Sequence, residues 1–179
     1  MATQRTSKQI IEQAQSLWEE LDVLPNVREH QARVAAVACI LRDHWKATPE
    51  APQINWDDVI AAALIHDLGN IIKANLATKF SQQLLGPLEC ERIDHWLEQQ
   101  AVYRARFGTD EIAANVGLMQ DIGASARLQE IVSHADFNHN ESTAHSTDWE
   151  RKLLAHADHC VGPFSILTVR ERLAEGAVR

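Results

Sequence analysis

An unbroken apolar run, Val59 to Ile65, leads straight into His66-Asp67, and Leu68-Gly69-Asn70 follow. The run constrains the fold more than any other segment. It is apolar on every side of a helix, so that helix must be central and surrounded by others. Its alanines, Ala61-Ala62-Ala63, argue against a strand. The pair at its end is the opposite kind of residue. Burying an imidazole and a carboxylate without partners costs several kcal/mol, so something must compensate them. Imidazole and carboxylate are two common ligand types for a divalent metal.

The rest of the chain reads as helix almost throughout. Ser7 is placed to cap a helix with Ile10, Ile11, Ala14, Leu17, Trp18 and Leu21 on its apolar face. Pro25 breaks it, and Asn26 with Glu29 is expected to start a longer helix in which Val27, His30, Val34, Val37, Leu41 and His44 share one stripe. Lys46 to Asn55 reads as a loop. Asn55 caps the buried helix, with Asp57 and Asp58 at its positive end, and Gly69 marks its stop. Asn70 to Pro87 is less regular. Leu88 to Phe107 reads as one amphipathic helix, Thr109-Asp110-Glu111 opens another to about Asp121, and Ser125 to His134 is a shorter one. Asp136 to Ser146 is polar and reads as an exposed loop. Thr147-Asp148-Trp149-Glu150 is a capping box before Leu153, Leu154, Ala157, Asp158 and Val161; Gly162-Pro163 ends that helix, and Thr168-Val169-Arg170-Glu171 is a second capping box before a last short helix. No repeat or strand pattern emerges. The expectation is an all-α, single compact helical bundle over residues 1–179, with its core at about 20–165.

Composition narrows the partners. Seventeen basic against 25 acidic residues give a net charge of −8 over 179 residues. No basic run stands out, which argues against a long nucleic acid. Cys39, Cys90 and Cys160 are odd in number and form no CxxC pair, as expected of a reducing cytoplasm. Met1 to Lys8 lacks the apolar core of a signal peptide, and no apolar run approaches the roughly 18 residues of a membrane span. The sequon Asn140-Glu141-Ser142 is therefore read as chance. A homo-oligomer is compatible with the sequence; exposed tryptophan on the first helix would be its sign.

Four polar residues stand where a plain core carries aliphatics: His30 on the stripe of Val27 and Val34, His66-Asp67 after the buried run, and Asp158 on the face of Leu154 and Val161. Singly, each has an ordinary structural explanation, such as a hydrogen-bonded core histidine or a carboxylate paired with arginine. Together they are two histidines and two carboxylates from three helices, and one shared ion satisfies them all.

The order His30, His66-Asp67, Asp158 resembles the HD superfamily of metal-dependent phosphohydrolases. Ala62 to Asn70 is similar to its core motif, an apolar run ending in His-Asp-Leu-Gly. Within it the chain looks closest to a group of small predicted HD hydrolases. Gly69-Asn70-Ile71-Ile72-Lys73, the Ala157-Asp158 segment running into Pro163-Phe164, and Glu171-Arg172-Leu173 carry that likeness. It covers about residue 20 to the end. One position departs: the group's pattern has an arginine two residues after the last aspartate, and this chain has Cys160.

The resemblance implies an HD-domain fold and a hydrolase of a small phosphate ester or nucleotide. It implies one divalent ion (Mn, Mg, Ni, Zn or Fe) on His30, His66, Asp67 and Asp158, supplying an activated water. Asp67 orients or deprotonates that water, and Lys73 contacts phosphate or is simply a solvated lysine. Arg33, one turn from His30, either faces the site or forms a surface salt bridge. His134 and His95 are candidates for a second metal or for substrate, since dinuclear HD enzymes place histidines in that interval. His139 and His145 read as solvated, His156 and His159 as flanking Asp158, and His44 as suiting a helix C-terminus. Two alternatives stand beside the hydrolase. One is a module that keeps the metal and senses a nucleotide without turnover; the other is a di-iron oxygenase, which requires both His95 and His134 as ligands.

Overall fold

The computed structural model describes residues 4–135 and 139–176. Among them the helices are α1 (Ser7–Glu20), α2 (Pro25–Lys46), α3 (Trp56–Ile65), α4 (Lys79–Leu85), α5 (Pro87–Cys90), α6 (Ile93–Phe107), α7 (Glu111–Asp121), α8 (Ala126–Val132), α9 (Asn140–His145), α10 (Trp149–His159) and α11 (Val169–Gly176). A 3₁₀ turn, Asn70–Ile72, follows α3. The described residues form no strand, only isolated bridges between Arg5 and Ala124 and between Val161 and Ile166. The fold is all-α.

α3 occupies the centre. Its residues from Asp58 to Ile65 are all buried, and α1, α2, α8 and α10 pack around it. Three consecutive alanines, each with no exposed surface, let neighbouring helices come close on several sides at once. α1 is fixed to α3 at both ends. The Ser7 hydroxyl donates to Asp58, and the Trp18 indole N–H donates to the Leu64 carbonyl at 2.9 Å. Trp18 thus turns inward and offers no exposed tryptophan on the first helix. At the far end, the Trp45 ring meets Trp56 and Trp149 at centroid distances of 6.2 and 5.3 Å, closing α2, α3 and α10 together.

Several element boundaries differ from the sequence expectation. Thr6, not Ser7, caps α1, in a capping box with Gln9. Pro25 is the first residue of α2 rather than a break before it, and Asn26 makes no cap. A proline fits there because the first helical N–H has no partner to lose. Asn55 holds the N-cap position of α3, but its amide donates to Asp58 at 2.8 Å instead of accepting from the helix start. The segment Leu88 to Phe107 breaks at Glu91–Arg92 into α5 and α6. Asp148, one residue later than Thr147, caps α10. Of the expected loop Asp136 to Ser146, residues 136–138 lie outside the described residues, and Asn140–His145 forms α9. The Thr168–Glu171 capping box forms as expected. The three cysteines are unpaired, and no helix of the described residues is long and apolar enough to cross a membrane.

Candidate metal centre

Three elements deliver four side chains to one point. α2 presents His30 one turn beyond Asn26 and Val27, the end of α3 presents His66 and Asp67, and α10 presents Asp158. His30 Nε2 lies 2.9 Å from Asp158 Oδ1 and 3.8 Å from Asp67 Oδ2. His66 Nε2 lies 3.6 Å from Asp158 Oδ1 and 3.8 Å from Asp67 Oδ2. Atoms that share a first-row ion at about 2 Å lie roughly 3–4 Å apart; His30, His66 and Asp158 meet that geometry together, and Asp67 stands beside them, facing both imidazoles.

The orientation of His66 sharpens that fit. Its Nδ1 lies 2.9 Å from the Ala63 carbonyl, a contact that requires an N–H there. The neutral ring then carries its lone pair on Nε2. That atom is buried without a hydrogen-bond partner, and it faces two carboxylate oxygens. A lone pair aimed at two anions needs a cation between them, either a proton or a metal. The charges around His66 make the same demand. Burial works to lower its pKa, but Asp67 and then Asp158 outweigh it and push it up to about 9. Burial likewise works to raise the Asp158 carboxyl, yet the His30 hydrogen bond and the charge of both histidines hold it far below the carboxylate range.

The segment after the pair is braced from two sides. The Gly69 N–H donates to Asn115 Oδ1 of α7 at 2.6 Å. An added Cβ on Gly69 would lie 2.7 Å from Ala114 Cβ and 3.0 Å from the Asn115 backbone nitrogen. Gly69 therefore serves close approach to α7; the stop of α3 falls earlier, at His66. From α6, Gln100 donates to the carbonyls of Ile71 and Ala74 at 2.6 and 2.7 Å, and Arg104 donates to that of Ile72 at 2.6 Å. Lys73 is thereby held in the cleft wall, with Nζ 2.7 Å from Glu111 Oε2. The Asn70 amide bridges Asp67 and Glu111, at 3.3 and 3.2 Å. Burial, and then the charge of Asp67, raise the Glu111 carboxyl, while Lys73 opposes the rise. Burial works to lower the Lys73 ammonium, and Asp67 and Glu111 reverse it to a net rise.

The centre lies in a cleft of about 530 Å³, a size suited to a small organic ligand. The remaining sequence candidates fall elsewhere or at its edge. Arg33 does not line the cleft; it pairs with Glu29 at 2.7 Å and donates to the Pro163 carbonyl at 3.1 Å, tying the turn after α10 to α2. His95 is not brought to the site. It pairs with Asp22 at 2.6 Å beyond α1, so the six-ligand set of an oxygenase is not assembled among the described residues. His134 sits between the cleft-lining Ser133 and Ala135, with Nδ1 3.0 Å from the Glu130 carbonyl and its ring 5.3 Å from that of His139. His139 is consequently half-buried rather than solvated, and His145 is exposed on α9 rather than in a loop. Cys160 is half-buried, with Sγ 3.8 Å from His156, and burial pushes its thiol up.

Glu111, Asn115 and Arg172 line the cleft without having been assigned a site role from the sequence, where Arg172 entered only as part of the family likeness. Glu111 and Asn115 are one helical turn apart on a face otherwise buried through Ala114 and Leu118, so an asparagine among apolar neighbours was the available signal. No family model matches the chain, nor does any curated protein or solved structure.

Proposed function

We propose that this chain is a metal-dependent phosphohydrolase of small phosphate esters or nucleotides, with one divalent ion held by His30, His66, Asp67 and Asp158. The observation that carries the reading is the buried His66 Nε2, without a hydrogen-bond partner and directed at two carboxylates. A divalent ion, when bound, supplies a Lewis acid for a phosphoryl oxygen and a water of lowered pKa. The residues divide the remaining work. His30, His66 and Asp158 fix the ion's position from α2, α3 and α10. Asp67, steadied by Asn70, is the carboxylate that orients the attacking water and accepts its proton. Lys73 places a positive charge beside the transferred group, and Glu111 holds that ammonium in place. Leu84, Ile112 and Val132 give the organic part of a substrate an apolar wall.

Metal analysis of the purified protein, followed by a panel of phosphate esters with the metal restored, tests the reading. About one Mn, Mg, Ni, Zn or Fe per chain is expected, with turnover of at least one ester. His66→Ala is expected to lose the ion and at least about a thousandfold in rate, as removal of several kcal/mol of transition-state stabilisation demands. Phosphatase activity surviving His66→Ala in a metal-free protein would falsify the reading. Tight binding of one nucleotide with no turnover of any ester would instead favour the ligand-sensing module.

A further inference from the structure

Two cations of very different sequence position face the cleft. Lys73 and Arg172 are the only lysine and arginine side chains lining it among the described residues. They share it with three carboxylates, Asp67, Glu111 and Asp158, in a chain of net charge −8. An anion entering such a cleft is repelled except where a cation faces it.

The two cations belong to different parts of the cleft. Lys73 sits in the Asp67–Asn70–Glu111 network and so stands beside the metal centre. Arg172 comes from α11, at the other end of the chain. After α10 the chain turns back through hydrogen bonds from the Gly162 N–H to the Ser165 carbonyl at 2.8 Å and from the Leu167 N–H to the Cys160 carbonyl at 2.7 Å. The capping box of Thr168 and Glu171 then fixes the start of α11 at Val169, three residues before Arg172. That turn sets Arg172 in the wall with Gly162 and Pro163, next to the Asp158 end of α10. A cleft of about 530 Å³ has room for more than one phosphate group.

We propose that Arg172 is a substrate-binding residue and that the site's substrates are small molecules with two anionic groups. The phosphoryl group lies at the four-residue cluster and Lys73; the second group, a carboxylate or another phosphate, is held by the Arg172 guanidinium. The inference rests on the phosphohydrolase reading and names its substrate class. A guanidinium presents a planar fork that matches two oxygens of either group.

The test uses full-length protein loaded with Mn, its metal content checked before and after each titration. Calorimetry measures binding of methylphosphonate, phosphonoacetate and methylenediphosphonate. The wild-type protein is expected to bind at least one of the two probes that carry a second anionic group about tenfold or more tighter than methylphosphonate, as one charge-assisted pair allows. Which probe gains distinguishes carboxylate from second phosphate. Arg172→Gln is expected to lose that margin while binding methylphosphonate within about twofold of wild type, and Arg172→Lys to keep part of it. Lys73→Met is expected to weaken all three probes alike. A wild-type protein without the margin, or an Arg172→Gln protein that keeps it with unchanged metal content and melting temperature, overturns the proposal. A wild-type protein that takes up no metal overturns the phosphohydrolase reading, and the proposal with it; the metal content separates that failure from the others.

Discussion

At Gly69 the absence of a side chain is set by a neighbouring helix. Its φ is −87°, an angle any residue adopts, so backbone freedom is not what the position needs. The need is space: an added methyl would sit 2.7 Å from Ala114 Cβ and 3.0 Å from the Asn115 backbone nitrogen. A backbone atom in a packed helix cannot swing aside as a long side chain can. Gly69→Ala is therefore expected to push the His66–Lys73 segment away from α7, costing about 1–3 kcal/mol as overpacking does, or roughly 2–4 °C of melting temperature per kcal/mol in a domain of this size. It should also weaken metal uptake, because Asp67 and Glu111 are bridged across that contact. Gly86→Ala is the control. Gly86 has φ +80° and nothing near its missing Cβ, so an alanine there strains only the backbone and leaves the metal site intact. Equal metal affinity and equal melting temperature in Gly69→Ala and wild type would remove the close-approach explanation.

At the scale of elements, what was legible in the sequence was whatever a helix announces by itself. α3 announced its burial by being apolar all round, and the last capping box announced α11. What was not legible depends on neighbours. Leu88 to Phe107 carries helical periodicity across its whole length, yet it breaks where Trp96 is buried and its indole N–H donates to Glu89, across the break, at 2.9 Å. Gln100 and Arg104 look like ordinary polar residues of an exposed face until their acceptors, carbonyls some thirty residues away, are in view. The α8–α10 junction is of the same kind. Asp148 caps α10 and also pairs with Arg127 at 2.8 Å and Arg151 at 3.0 Å. Burial works to raise its carboxyl, but the Arg127 hydrogen bond and then the other partners lower it below the ordinary 3.8. A carboxyl lowered in the folded state adds stability that is present above the unfolded value and is lost as pH falls through the folded one. Asn caps helices about as well as Asp, so Asp148→Asn removes the charge and leaves the cap. The variant should be about 1 kcal/mol less stable than wild type at pH 7, a modest figure because the pairs are partly exposed. The gap should narrow progressively as pH falls below about 3.8. Urea unfolding at pH 7 and pH 3 measures it; a gap of the same size at both would show that the charge is not what Asp148 contributes.

For the whole molecule, the candidate centre lies where the packing is most interdependent. His30, His66 and Asp158 come from α2, α3 and α10, and each of those helices packs against the other two. Without a cation, two carboxylates and a lone pair converge there and oppose the packing that apolar residues favour; the raised pKa of His66, about 9, shows a proton partly relieving that opposition. On the phosphohydrolase reading an ion replaces that proton, relieves the opposition more fully and joins the three helices at one point. Because the site exists only when all three are packed, binding is linked to global folding. It adds RT ln(1 + [L]/Kd), about 2.7 kcal/mol at a hundredfold excess over Kd. For a chain of 179 residues that corresponds to roughly 5–11 °C. Thermal unfolding of metal-stripped protein across a series of Mn, Zn, Ni, Fe and Mg concentrations should show a concentration-dependent rise for at least one ion. The rise should vanish in Asp158→Asn and His66→Ala and persist in His95→Ala, whose ring pairs with Asp22 well away from the cleft. A rise of equal size in His66→Ala would place the bound ion elsewhere on the molecule, and the convergence of the three helices would then need an explanation other than a shared metal.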